Sequence, residues 1–286
     1  NIDVWASRYW HCAKTHVEIT EVIRAKHNIT ELWLPILGDM FTLQKANRRG
    51  AIRNSTDVNA RMVFMAASGH VQIIRFFLQY FDTIYIDCIF GNESRIQDEF
   101  AFDPPYDSYD YQLYMVLSIA LAEEVRLGRV KFNIPMSSQL VVNRMGWNWL
   151  LTHGHEIKSH MSIPAYGIAR DMAIQHSKRR ARKDRPNQID FDCRISGHLH
   201  QDIKISKHWV CPALIGPNTW AHNAFGGDVE AGQLSFFLHE KHCGPLYLNP
   251  IDVYSAKGHP LELMQENQFP EAVHRFDDKL PSGLPA

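Results

Sequence analysis

The feature that most constrains this chain is a repeated punctuation, in which short apolar runs stop at glycine-containing turns that carry Asp, Asn, Glu or His. Leu32 to Leu37 runs into Gly38-Asp39, and Thr83 to Phe90 into Gly91-Asn92-Glu93. Trp147 to Thr152 runs into His153-Gly154-His155, and Cys193 to Ser196 into Gly197-His198-Leu199-His200. Runs of this length bounded by turn residues read as buried strands. In α/β sheets the carboxyl ends of the strands form the crevice where ligands bind, and a glycine there lets the backbone turn sharply. Four such ends predict an α/β fold with a polar site along one edge. His198 and His200 stand two residues apart, so in extended chain both imidazoles face the same way. One carboxylate, one amide oxygen and several imidazoles make a mixed oxygen and nitrogen shell. That shell suits Mn, Fe or Zn better than Ca or Mg, and the lack of thiolates argues against a structural zinc.

The rest of the chain fits this frame. Ile2 to Ser7 reads as extended, Glu18 to His27 as helical, and Asn59 to Tyr80 has apolar residues at helical spacing. Tyr111 to Leu127 reads as another helix. Closely spaced extended runs follow at Val130 to Ile134, Gln139 to Asn143 and Trp147 to Thr152, the last two forming a hairpin across Arg144-Met145-Gly146. Asp202 to Ile205, Trp209 to Leu214 and Gln233 to His239 are further strands. No internal repeat or low-complexity linker interrupts them. The expectation is one domain over residues 1–244 and a peripheral tail over 245–286.

Composition narrows the function classes. Lys and Arg total 30 against 31 Asp and Glu, so no global field draws the chain to nucleic acid or to an anionic membrane. The hydrophobic share of 45% supplies a sizeable core, while no apolar run approaches a bilayer span and no secretory signal pattern opens the chain. The expectation is a soluble, cytoplasmic protein with no membrane partner. Five cysteines without close pairing, at 12, 88, 193, 211 and 243, read as reduced and mostly buried thiols.

The ordered motifs Leu37-Gly38-Asp39, Gly91-Asn92-Glu93, His153-Gly154-His155 and Gly197-His198-Leu199-His200 resemble the later motifs of the calcineurin-like metallophosphoesterases. The Gly-Asn-Glu-Ser-Arg segment from Gly91 and the Tyr-rich stretch Tyr106 to Tyr114 are more similar to phage-encoded members related to DNA-repair exonucleases than to protein phosphatases. The resemblance implies a four-layer α/β/β/α sandwich, two mixed sheets flanked by helices, with the metals at the strand ends. It implies one or two divalent transition metals, Mn2+ foremost. Asp39 would bridge them, Asn92, His153 and His198 would complete one shell, and His200 would serve the other. The implied activity is hydrolysis of phosphodiesters, with DNA as substrate and an intracellular setting such as a phage-infected host. A relative that keeps the fold as a binding or structural module is the other reading.

Two positions depart from that pattern. The family opens with Asp-x-His after a first strand, and the matching triplet here is Tyr9-Trp10-His11. His11 keeps a potential ligand, but Tyr9 supplies no carboxylate. The family's Gly-Asn-His becomes Gly91-Asn92-Glu93, an imidazole replaced by a carboxylate, which reads either as offsetting part of the charge missing at position 9 or as drift in a site no longer under use. Glu93 and His155 are the candidates for proton transfer. Lys178, Arg179, Arg180, Arg182, Lys183 and Arg185 form a basic run between the third and fourth motifs, a candidate contact for a nucleic-acid backbone.

Overall fold

The computed structural model describes residues 2–41, 59–96, 107–158, 164–181, 189–216 and 230–263. It opens with one long helix, α1 (Ile2–Arg24), where the sequence suggested an extended segment and a separate helix. Trp5, Tyr9 and Trp10 favour strands on propensity. Their spacing with Ala6, Ala13 and Val17 is helical, however, and burial of Ala6, Ala13, Val17 and Thr20 along one face decides the outcome.

The chain then alternates. β1 (Glu31–Ile36) pairs in parallel with β2 (Thr83–Cys88), Glu31 opposite Thr83 and Ile36 opposite Cys88. β2 pairs in parallel with β3 (Val130–Asn133). The connections are α2 (Asn59–Phe77) and the consecutive helices α3 (Tyr109–Ala120) and α4 (Ala122–Arg126). A second sheet holds β4 (Gln139–Arg144), β5 (Trp147–Thr152), β6 (Cys193–Ser196), β7 (Ile203–Ile205) and β8 (His208–Val210), ordered β4-β5-β6-β8-β7. The β4–β5 hairpin turns at Met145-Gly146, both at positive φ (52° and 82°), as a two-residue hairpin turn requires. α5 (Pro164–Arg180) precedes β6, and β9 (Gly232–His239) pairs with β10 (His242–Asp252) in a separate antiparallel ribbon.

Three apolar zones make this the expected α/β/β/α sandwich. Ala13 and Val17 of α1, Ile73 and Ile74 of α2 and Leu117 of α3 cover the outer face of the first sheet through Leu32, Ile36, Ile84 and Ile86. Its inner face meets the second sheet through Trp33, Leu37 and Ile89 against Val142, Trp149, Leu151 and Ile195. Trp149 has no exposure, and its ring lies 5.3 Å from Trp33 and 5.9 Å from Trp209. Met172 of α5 packs on Leu150 and Phe191 beyond the second sheet. The inner layer also buries Asp87, which accepts from Trp33 Nε1 at 2.6 Å and pairs with Arg144, so the charge is compensated across the layers.

The expected boundary at residue 244 falls inside β10, and the chain beyond it returns to the core. Leu261 and Leu263 are buried in the α1–α2 cluster. Glu262 ties the segment to α2, its carbonyl accepting from Ser68 Oγ at 3.0 Å and Gln72 Nε2 at 2.8 Å. Residues 245–263 are therefore part of the sandwich, and the remainder of the expected tail lies outside the described residues. All five cysteines are free, and no helix among the described residues is long and apolar enough to cross a membrane.

Candidate metal centre

The parallel strands β1 and β2 end side by side, and the two turns that follow them are interlocked. A Cβ on Gly38 would lie 2.3 Å from the Gly91 nitrogen, and one on Gly91 would lie 2.0 Å from Asp39 Oδ1. Only glycine lets the backbones approach this closely. A third element fastens them, because the Asp110 carboxylate in the first turn of α3 accepts from Asp39 N (2.9 Å), Met40 N (3.0 Å) and Gly91 N (2.8 Å). Ser94 Oγ is a fourth donor to it. Burial and the nearby Asp39 charge push the Asp110 carboxyl up to about 6, although its hydrogen bonds pull the other way. Sequence reasoning missed Asp110. The available signal was Ser108 two residues before it, whose Oγ accepts from Asp110 N and caps the helix.

Asp39 sits at the top of this junction. His153, at the end of β5, brings Nε2 to 2.9 Å from Asp39 Oδ2 and 3.1 Å from Asn92 Oδ1. Its Nδ1 donates to the Leu37 carbonyl at 2.7 Å, which fixes the ring and turns Nε2 toward the site. Glu93 N donates to Asp39 Oδ1 at 2.7 Å, and Asn92 Nδ2 donates to Glu93 Oε1 at 2.9 Å. From the turn after β6, the His198 ring stands 5.0 Å from that of His153, and the His155 ring lies 5.6 Å from His153. Asp39, His198 and His200 all have positive φ (53°, 64° and 55°), half of the six such non-glycine residues among those described. Backbone strain of this kind collects at functional sites.

Asp39, His153 and His198 each offer a ligand atom, all within 4.8 Å of one another. Ligands about 2.1 Å from one ion stand roughly 3 Å or slightly more apart, which is the spacing of His153 Nε2 from Asp39 Oδ2 and from Asn92 Oδ1. The donor set and its geometry therefore fit a divalent transition metal. His155 adds a buried Nδ1 that has no hydrogen-bond partner.

Electrostatics without a metal reflect the close pairing. Burial opposes both charges of the Asp39–His153 pair, but their mutual attraction and hydrogen bond win. Asp39 is held down at about 2 and His153 up at about 9. Burial and the His153 charge lower His198 to about 3, and burial also lowers His155 and His200. His155, His198 and His200 are thus neutral at pH 7, the state in which an imidazole binds metal.

Of the expected residues, Asp39, Asn92, Glu93, His153, His155, His198 and His200 line one cavity of about 2070 Å³. His11 does not join them. It lies mid-helix on α1 and lines a separate cleft with Trp10, Lys14 and His259. The expectation assumed a strand end there, and the helix removes the turn that would have aimed an imidazole at the site. Neighbouring Tyr9 packs between Trp5 and His70. In the basic run, Lys178, Arg179 and Arg180 end α5 on the outside of the second sheet and line no part of the cavity. Arg179 donates to Gln139 Oε1 at 2.9 Å, and Arg180 pairs with Asp190. Arg182, Lys183 and Arg185 lie outside the described residues.

No family model and no curated protein matches the sequence. Among solved structures the chain is similar to a single mutant of Vps29 from Entamoeba histolytica, at 11% identity and a TM-score of 0.33, over 78% of this chain and 98% of that one. It is also similar to wild-type Vps29 complexed with Zn2+ from the same organism, at 12% identity and a TM-score of 0.31, over 63% of this chain and 89% of that one.

Proposed function

We propose that this chain is a metal-dependent phosphodiesterase that uses one principal divalent ion held by Asp39, Asn92, His153 and His198. The observation that carries this reading is the convergence of the Asp39, His153 and His198 ligand atoms within 4.8 Å on the wall of a large cavity. An ion there supplies Lewis acidity to a phosphoryl oxygen and lowers the pKa of a nearby water. The chain's residues do the rest. Asp110 keeps the two turns and their ligands in place, and the Leu37 carbonyl orients His153. His155, neutral because it is buried, is positioned to take a proton, with Glu156 Oε2 3.9 Å from its Nδ1. Glu93 and His200 line the same wall and would hold a weaker second ion. Mn2+ and Zn2+ both suit the donor set.

DNA remains the first substrate to test, although the described part of the basic run sits away from the cavity. The alternative, a phosphoesterase fold serving as a binding module, is favoured by the position of His11, which lines a separate cleft and so contributes no imidazole beside Asp39 and His200, and by Tyr9, which supplies no carboxylate there. Hydrolysis of bis-(p-nitrophenyl) phosphate, and of single- and double-stranded DNA, separates the readings. Turnover is expected with Mn2+ or Zn2+, abolished by chelator and by His198→Ala. No turnover with any divalent metal, in a chain shown to bind Zn2+, sinks the enzymatic reading.

A further inference from the structure

Two of the five free thiols touch. Cys193 opens β6 opposite Trp149 of β5, and its Sγ lies 3.6 Å from the Sγ of Cys243, near the start of β10 and 50 residues away in sequence. The tip of the β9–β10 ribbon brings them together. Trp147 Nε1 donates to the His239 carbonyl at 3.3 Å, which ties the end of β9 to the start of β5. The ribbon register then shifts between His242 and Leu246, and Gly244, at φ 122°, lies where a Cβ would come within 3.1 Å of the Trp209 ring. With no side chain there, the ribbon settles on Trp209 and carries Cys243 against the apolar cluster of Cys193, Trp149 and Ile195.

The two sulfurs differ in access and in company. Cys193 has no exposure, and burial together with the Cys243 sulfur pushes its thiol up. Cys243 is half-buried, and Nζ of the exposed Lys207 donates to its Sγ at 3.1 Å. The Lys207 backbone is fixed beside β6, its carbonyl accepting from Arg194 N at 2.8 Å. A partly exposed thiol with an ammonium against it and a second thiol behind it is the arrangement of a reactive cysteine and its resolving partner. Cys211 packs on the same cluster, but among the described residues no second sulfur or ammonium hydrogen-bonds to its Sγ.

We propose that Cys243 and Cys193 form an oxidative modification site that takes a small-molecule disulfide such as oxidised glutathione, with Lys207 as the cation beside the attacking sulfur. Cys243 Sγ attacks one sulfur of the reagent, giving a mixed disulfide and one reagent thiol, which carries off the Cys243 proton. Cys193 Sγ then attacks Cys243 Sγ, and the second reagent thiol leaves with the Cys193 proton. Two protein thiols are oxidised to a Cys193–Cys243 bridge while one reagent disulfide is reduced to two thiols. The sulfurs must close from 3.6 Å to about 2.0 Å. That movement falls to the irregular end of the two-stranded ribbon, because β6 is paired on both sides. The bridge fastens β9, which walls the metal-site cavity, to the second sheet whether or not the metal centre is catalytic.

The test uses the full chain in chelator with mixtures of reduced and oxidised glutathione, read by intact mass and by mapping of cross-linked peptides. The native chain is expected to lose two hydrogens and to yield the Cys193–Cys243 cross-link. Cys193→Ala should stop at one glutathione on Cys243, Cys243→Ala should yield neither product, and Cys211→Ala should behave as the unsubstituted chain. Lys207→Gln should slow the first step about tenfold. At one glutathione ratio, the proportion of bridged to reduced chain should fall about tenfold or more in denaturing urea, where the fold no longer holds the sulfurs together. A native chain that does not react or that keeps glutathione without forming the bridge would overturn the proposal. So would a bridge through Cys211, an unchanged first step in Lys207→Gln, or a bridged proportion as high in urea as in the native fold.

Discussion

Substituting Ala for Gly91 tests whether the metal centre depends on the interlock of the two turns. The added Cβ would meet Asp39 Oδ1 at 2.0 Å and Asp39 N at 2.3 Å, whereas a relaxed carbon–oxygen contact is about 3.3 Å. Something must therefore move by roughly 1 Å, and backbone stands on both sides. If the Asp39 side chain rotates away, it gives up the Glu93 N–H at 2.7 Å and the approach to His153 at 2.9 Å. If the turns separate, the 2.8 Å bond from Gly91 N to Asp110 is lost and that from Asp39 N is weakened. Hydrogen bonds to charged groups contribute ~1.5–3 kcal/mol each, so losing two costs ~3–6 kcal/mol in the metal-free fold. Either path withdraws Asp39 from the ligand set, and Zn2+ affinity should fall about hundredfold or more. Isothermal titration with Zn2+ and urea unfolding in chelator read the two effects. Gly197→Ala is the control, because it lines the same cavity but its Cβ would approach nothing closer than 3.7 Å. The reasoning is refuted if Gly91→Ala binds Zn2+ as tightly as Gly197→Ala and unfolds at the same urea concentration.

Two further outcomes follow from the same contacts. In chelator, the raised His153 pKa stabilises the fold fully below about 6.5, and that contribution is lost as pH climbs through about 9. The lowered Asp39 pKa stabilises it above about 3.8, and that contribution is lost as pH falls through about 2. The contribution of this pair is therefore greatest between about pH 4 and 6.5, and Asp39→Asn should flatten the decline of the urea midpoint on the alkaline side. An unchanged alkaline limb in that variant would show that the pair is not its cause. Leu261→Ala should lower stability by ~2–4 kcal/mol if the segment after β10 belongs to the core, measurable as a shifted urea midpoint at constant slope. A shift under ~0.5 kcal/mol would return it to the status of a tail.

The strand-end side chains that converge on the candidate site were legible because each lies immediately beside its own apolar run, so local sequence carries both the strand and the turn. Asp39, Asn92, His153 and His198 could be named this way. The contacts that hold them together were not legible, since they join distant segments. Asp110 works through backbone N–H groups 71 and 19 residues away, at Asp39 and Gly91, and nothing beside it announces that role beyond the helix cap. α1 was misread for a related reason. Its aromatic residues have strand propensity, and the helical spacing becomes decisive only once α2 and the first sheet supply something to bury it against. β10 was missed because Pro250 and Gly244 punctuate it. A register shift between His242 and Leu246 takes up Gly244, and Pro250 pairs in register with Leu234 in a two-stranded ribbon, where a central strand would not hold it.

The Asp110 clamp has a consequence for how a metal would be acquired. It grips both turns through hydrogen bonds that need no ion, so the ligands are set by the protein's own folding rather than assembled around the cation. Small zinc modules obtain their fold from the metal, and chelators denature them. Here, loading would resemble an exchange in which the ion displaces the proton shared by Asp39 and His153. Uptake should then release close to one proton per chain near neutral pH while leaving the secondary structure unchanged. Competition between protons and metal, more than folding, would govern when the centre is filled.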